Sequence, residues 1–193
     1  TFTRGTGELE NFAYITLDRP EKLNGLTAQA PAWKTAVEAT SAALGEAIGA
    51  VTERSRGILL GRTTYVMFEP AGSTRTVEDD PGAPFFNDTT KYVVSSTLDE
   101  ASGWQNSEVI GAYDADRIRE LKKDRDLYIS GSGTLVRALL RDKLIDELHL
   151  LVYPVVLGSG ARLFDGLADL PLTLVGTDVF DNGVVHLSYG PTD

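Results

Sequence analysis

Residues 126–141 read Asp-Leu-Tyr-Ile-Ser-Gly-Ser-Gly-Thr-Leu-Val-Arg-Ala-Leu-Leu-Arg. Asp126 to Ser130 is a short apolar and aromatic run, and therefore a strand. Gly131, Ser132 and Gly133 supply a tight turn, and from Thr134 to Arg141 the residues Leu135, Leu139 and Leu140 recur at helical spacing. A strand that enters a helix through glycines leaves backbone N–H groups pointing outward at the helix start, a geometry suited to binding a phosphate.

The chain on either side repeats the theme. Upstream, Gly57 to Leu60 is a buried-strand candidate that runs into Gly61-Arg62-Thr63-Thr64-Tyr65, the start of a short helix ending near Phe68. Lys91 to Ser95 and Glu108 to Gly111 are further strands, and Asp114 is placed to cap a charged helix extending to Asp124. Phe12 to Leu17 is a first strand closed by Asp18-Arg19-Pro20, and an Ala-rich stretch from Pro31 to Val51 predicts one long helix. Residues 69–90 carry Pro70, Pro81, Pro84 and the acidic triplet Glu78-Asp79-Asp80, the composition of a mobile flap. After Arg141 come a strand from Glu147 to Val156 and two more, 172–180 and 184–189, joined by Asp181-Asn182-Gly183 as an antiparallel hairpin. The pattern is α/β: a mixed, mostly parallel central sheet with flanking helices and an antiparallel C-terminal hairpin, in a single domain spanning 1–193.

Composition narrows the function. With 18 Lys plus Arg against 28 Asp plus Glu the formal charge is −10, which excludes a basic nucleic-acid binder. There is no cysteine for disulfides or thiolate sites, and two histidines make no multi-His metal centre. Thr1 to Glu10 lack a signal-peptide pattern and no apolar run is long enough to span a bilayer, so a cytoplasmic location without membrane contact is expected; with no initiator Met, a trimmed or processed start is expected.

Three strand ends share small or hydroxyl residues: Gly61-Arg62-Thr63, Ser95-Ser96-Thr97 and Gly131-Ser132-Gly133-Thr134. In open α/β sheets ligands bind beyond the carboxyl ends of the strands, and these residues suit the phosphates of a dinucleotide. The Arg62 fork matches a phosphate monoester such as the 2′-phosphate of NADPH. A chain of charge −10 repels anions at long range, so binding must depend on local donors: Arg62, Lys91 and helix N-termini. The third glycine of the dinucleotide fingerprint is replaced by Val136, which argues against a Rossmann dehydrogenase.

Five blocks carry a family resemblance. Leu59-Leu-Gly-Arg-Thr-Thr-Tyr65, Lys91-Tyr-Val-Val-Ser-Ser-Thr-Leu98, Ile129-Ser-Gly-Ser132, Leu144-Ile-Asp-Glu-Leu148 and Pro154-Val-Val-Leu-Gly-Ser-Gly-Ala-Arg-Leu-Phe164 resemble, in order, the dihydrofolate-reductase-like family. Within it they are similar to the C-terminal reductase domain of the bifunctional riboflavin-biosynthesis deaminase-reductase, over roughly residues 57–190. The resemblance implies an NADPH-dependent reductase of a biosynthetic pathway. It implies Arg62 and Thr63 by the adenosine-side phosphates, Ser95 and Ser96 by the 2′-phosphate, and Gly131, Ser132, Gly133 and Thr134 under the pyrophosphate. Residues 157–163 would frame the far wall, and a homodimer through the C-terminal part of the sheet is implied. The N-terminal third departs from the family: Thr16-Leu17-Asp18-Arg19 stands where many members have Ser-Leu-Asp-Gly, and no carboxylate opens the long helix, which speaks against folate reduction. Residues 15–27 are also similar to the opening strand of enoyl-CoA hydratases, but nothing downstream continues that match.

The expected chemistry is hydride delivery to a C=N, C=O or activated C=C bond of a small cyclic substrate. The candidate acid is Asp18, placed near the nicotinamide by the resemblance; its other reading is a turn-capping residue. Tyr14, Trp33 and Tyr153 could stack on a planar substrate or pack in the core, and His149 and His186 read as packed strand residues. The alternative function is a non-catalytic nucleotide- or ligand-binding protein on the same scaffold.

Overall fold

The computed structural model describes residues 13–15, 42–154, 156 and 162–192. Its elements are β1 (Ala13–Ile15), α1 (Ala42–Arg54), β2 (Gly57–Gly61), α2 (Arg62–Gly72), α3 (Ala83–Asp88), β3 (Lys91–Val94), β4 (Ser107–Gly111), α4 (Ala115–Lys123), β5 (Leu127–Ile129), α5 (Gly133–Arg141), β6 (Leu148–Val152), β7 (Leu172–Val179) and β8 (Val185–Pro191). Five strands form a parallel sheet in the order β1-β5-β2-β3-β4, and the last three form an antiparallel sheet in the order β6-β8-β7. The parallel centre and the antiparallel C-terminal hairpin are those the sequence predicts. The predicted long helix is described only from Ala42 onward.

A strand buried on both faces needs apolar residues at every position, and β2 and β5 meet that requirement throughout. Their side chains divide by the two-residue period. Leu59, Tyr92, Leu127 and Ile129 pack with Ile118 of α4 and with Leu135, Val136, Leu139 and Leu140 of α5. Ile58, Leu60, Val93 and Tyr128 pack on the other face with Val51 of α1, Tyr65 of α2 and the 85–104 region. Thus α2 and α5, which leave neighbouring strands, cover opposite faces of the sheet.

Asp114 caps α4 as expected, its carboxylate accepting from the N–H groups of Asp116 and Arg117 at 2.9 and 3.2 Å. The β7–β8 turn also has the expected form, with Gly183 at φ +82° and the Val184 N–H donating to Asn182 Oδ1. His149 and His186 are packed and partnered: their rings bond each other at 2.8 Å, and each faces a carboxylate, Glu147 for the first and Asp178 for the second. Burial, then the neighbouring His149, lower the His186 pKa, while Asp178 opposes that shift.

Residues 69–90 correct the expectation of a mobile flap. Helix α2 continues through Pro70 to Gly72, and α3 occupies 83–88. Pro84 stands in the first turn of α3, where its missing N–H removes no helical bond, and Phe85 and Phe86 set their rings edge-on to buried Tyr128 at 5.6 and 5.9 Å. Asn87 ties the segment down: it donates to the Arg75 carbonyl at 2.9 Å and accepts from the Trp104 indole at 2.7 Å.

Lys91 also departs from its expected role as an anion donor. It opens β3, at the opposite end of that strand from Ser95, and is fully buried. Its ammonium donates to the carbonyls of Phe86 (2.7 Å) and Thr89 (3.0 Å) and lies 4.9 Å from the centre of the Trp104 ring. Desolvation lowers its pKa from 10.5 to about 8, and Asp88 opposes the shift. The folded value lies below the unfolded one, so between about pH 8 and 10.5 the unfolded chain holds more protons and stability rises with pH. Lys91→Met, which strands those carbonyls, should lose about 1–3 kcal/mol of stability and flatten that alkaline rise, measured by denaturant unfolding from pH 7 to 10.

Candidate functional site

The strand order creates a natural crevice. From β2 the chain proceeds through α2 and α3 to β3 on one side, whereas from β5 it proceeds through α5 towards β6 on the other. Neighbouring strands whose connections diverge to opposite faces open a gap at their carboxyl ends, the place where α/β proteins bind ligands. A cleft of about 490 Å³ lies there.

The cleft gathers most of the predicted residues. Gly61, Arg62 and Thr63 line it from the β2–α2 junction, Ser95 and Ser96 from the end of β3, and Ser132 and Thr134 from the start of α5. Gly131 sits behind them, its carbonyl accepting from the Gly61 N–H at 3.4 Å, and its φ of +134° suits a glycine. Gly133 is the first residue of α5. Asp18, Trp33 and most of residues 157–163 lie outside the described residues, as does the side chain of Tyr14.

Two helices begin at this cleft, and neither has a side-chain cap. Gly61 precedes α2 and Ser132 precedes α5, both in extended conformation and without a cap hydrogen bond. Helix starts carry partial positive charge and N–H groups with no helical partner, so two of them side by side favour an anion. Hydroxyls surround them. Ser96, Thr63 and Thr134 are exposed, while Ser95 is buried with its oxygen accepting from the Thr97 and Leu98 N–H groups at 3.2 and 3.0 Å, leaving its own O–H to donate. The exposed Arg62 guanidinium makes no ion pair among the described residues. Although the sequence has 28 acidic residues, no Asp or Glu lines the cleft among the described residues.

Tyr113 closes the far wall. Its hydroxyl donates to Asp142 at 2.6 Å, and burial followed by that carboxylate raises the phenol's pKa, so it stays neutral. Sequence reading also missed Arg137, which leans back over the first turn of α5 and donates to the Thr134 hydroxyl at 3.3 Å. Its signal was positional: helical side chains point towards the N-terminus, so a residue four after Gly133 overlies the glycine turn.

The family model for the RibD C-terminal domain matches residues 23–186. The chain belongs to that family. Two relatives come from Bacillus subtilis (strain 168), both uncharacterized. YyaP is 32% identical over 105 residues, covering 51% of this chain and 53% of its own length. YwjB is 31% identical over 132 residues, covering 66% of this chain and 69% of its own. The aligned part thus spans about half of YyaP.

Solved structures agree on the fold. A Shewanella sp. PV-4 protein assigned to riboflavin biosynthesis superposes with a TM-score of 0.70 at 21% identity, over 96% of this chain and 100% of that one. RibD of Acinetobacter baumannii superposes with a TM-score of 0.60 at 18% identity, over 95% of this chain and 58% of RibD. No helix among the described residues is long and apolar enough to cross a membrane.

The tightest point of the cleft is Gly61, where a Cβ would come within 2.5 Å of Ser132 Oγ and 3.3 Å of Ser132 Cβ. Its φ of −76° is open to any residue, so the restriction is purely steric. Gly61→Ala should cost about 1–3 kcal/mol in denaturant unfolding, and adding Ser132→Gly should recover most of it. Additive losses in the double variant would show that this contact is not the cause.

Proposed function

We propose that the chain is an NADPH-dependent reductase that delivers hydride to a C=N, C=O or activated C=C bond of a small cyclic substrate. The observation that carries this reading is the pair of uncapped helix starts facing one hydroxyl-lined cleft that holds Arg62 and no carboxylate among the described residues. In a protein of net charge −10, that is an anion site made by local structure. Membership of the RibD C-terminal domain family, and the fold shared with a Shewanella protein assigned to riboflavin biosynthesis, support a biosynthetic setting.

The residues fit a dinucleotide. Ser132, Gly133 and Thr134 would donate to the pyrophosphate at the start of α5. The narrow contact between Gly61 and Ser132 keeps the backbone free of side chains there, and Arg62 with Ser96 would take the 2′-phosphate. When bound, the reduced nicotinamide supplies the hydride. The chain's own part is to hold the phosphates, to orient the tail along the ends of β2, β3 and β5, and to exclude water behind Tyr113. Asp18, at the end of the first predicted strand, is the proposed proton donor to the reduced substrate. A homodimer formed through the C-terminal strands, in the cytoplasm, completes the reading.

A micromolar NADPH site at millimolar cofactor should stabilise the fold by about 4 kcal/mol, seen as a raised melting temperature. Consumption of NADPH with a panel of cyclic imines, ketones and aminopyrimidine-type substrates tests the reaction itself. Arg62→Ala should weaken NADPH about 10-fold or more and leave NADH nearly unchanged, because only NADPH carries the extra phosphate. No thermal shift with NADPH overturns the reductase reading, and equal loss for both dinucleotides removes Arg62 from the 2′-phosphate.

A further inference from the structure

A second arginine flanks the cleft without lining it. Arg137 lies one helical turn into α5, and its side chain folds back towards the helix start. One terminal nitrogen, Nη1, donates to the carbonyls of Arg162 and Leu163 at 3.3 and 3.5 Å; the other, Nη2, donates to Thr134 Oγ1 at 3.3 Å. The same Nη1 sits 3.3 Å from where a Cβ on Gly133 would be, so the guanidinium lies directly over the glycine turn.

Two features of this arrangement call for an anion. A cation held over a helix N-terminus opposes the positive end of the macrodipole, an unfavourable placement unless a negative group is shared between them. And all three acceptors of Arg137 are neutral: it makes no ion pair among the described residues. The bonds are long, and a guanidinium has five N–H donors, so two remain beyond those three.

Resting on the dinucleotide reading above, we infer that Arg137 is a phosphate-binding residue that gives its remaining N–H groups to the pyrophosphate while its Nη1 bonds hold the 162–163 segment against the start of α5. Arg62 and Arg137 then have separate tasks. Arg62 sits at the β2–α2 junction and reads the 2′-phosphate, which distinguishes the two dinucleotides. Arg137 sits over the α5 turn and meets the pyrophosphate, which both dinucleotides carry. The planar fork matters, because a lysine could supply the charge but could not hold two carbonyls and a phosphate in one plane.

The test is fluorescence titration of NADPH and of NADH on the wild-type protein and on Arg137→Met, Arg137→Lys and Arg62→Ala, with melting temperatures recorded for each. The expected result is that Arg137→Met weakens both dinucleotides by the same factor, 10-fold or more, that Arg137→Lys recovers part of this, and that Arg62→Ala weakens NADPH selectively. If Arg137→Met is unstable, the comparison of Arg137→Lys with wild type at equal melting temperature decides, with a parallel loss for both dinucleotides expected. Dissociation constants within twofold of wild type in both Arg137 variants, or a loss confined to NADPH, overturn the assignment while leaving the reductase reading intact. A wild-type protein that binds neither dinucleotide overturns both.

Discussion

Everything at the site depends on β2 and β5 lying side by side while their outgoing connections part to opposite faces of the sheet. Parallel pairing aligns the two carboxyl ends, and divergence of α2 and α5 leaves a gap between their first turns. The gap persists because both turns begin with residues that do not close it. Gly61 has no side chain, Ser132 offers only a hydroxyl, and the Gly61 N–H to Gly131 carbonyl bond pins the two turns together at 3.4 Å. A larger side chain on either would fill the space a ligand needs.

The amino ends of the same strands are built on the opposite logic. There the Lys91 ammonium donates to the Phe86 and Thr89 carbonyls and lies over the Trp104 ring, and the Trp104 indole donates to Asn87. Charge at that end is buried and consumed by the fold, whereas at the carboxyl ends Arg62 is exposed and Arg137 has only neutral partners. The cation at one end of the sheet is thus taken up by backbone carbonyls, while the cations at the other end stand beside two uncapped helix starts.

The strands and the glycine turn were legible in the sequence because their signals are local: four or five apolar residues bounded by glycine or a charged cluster admit few readings. Seven of the nine proposed cofactor residues fall on one cleft because each stands at a strand end, and strand ends of a parallel sheet necessarily share an edge. Long-range contacts were not legible. Pro84 marks a helix start as readily as a loop, and only the seating of Phe85 and Phe86 on Tyr128 decides between them. Lys91 reads the same whether it reaches a ligand or folds back onto carbonyls; its place four residues before Ser95, about 13 Å along the strand, excludes the first. Asp18 shows the remaining difficulty, since its role depends on what faces it across the pocket and not on its neighbours in sequence.

An acidic protein that binds an anion must do so against its own mean field, and screening sets the scale on which it can succeed. At physiological ionic strength charges more than about 8 Å apart act weakly, so the surplus of carboxylates matters only if some of them approach the site. Several that stand near it are engaged by other groups: Asp114 caps α4, and Asp142 accepts from Tyr113 behind the cleft wall; farther along the chain, Asp146 pairs with Lys122. The cleft lining holds Arg62 beside two helix starts, with Arg137 flanking it, and no carboxylate is among the described lining residues. Charges of one sign at a helix start repel one another, so on the proposed reading a phosphorylated ligand would relieve that repulsion.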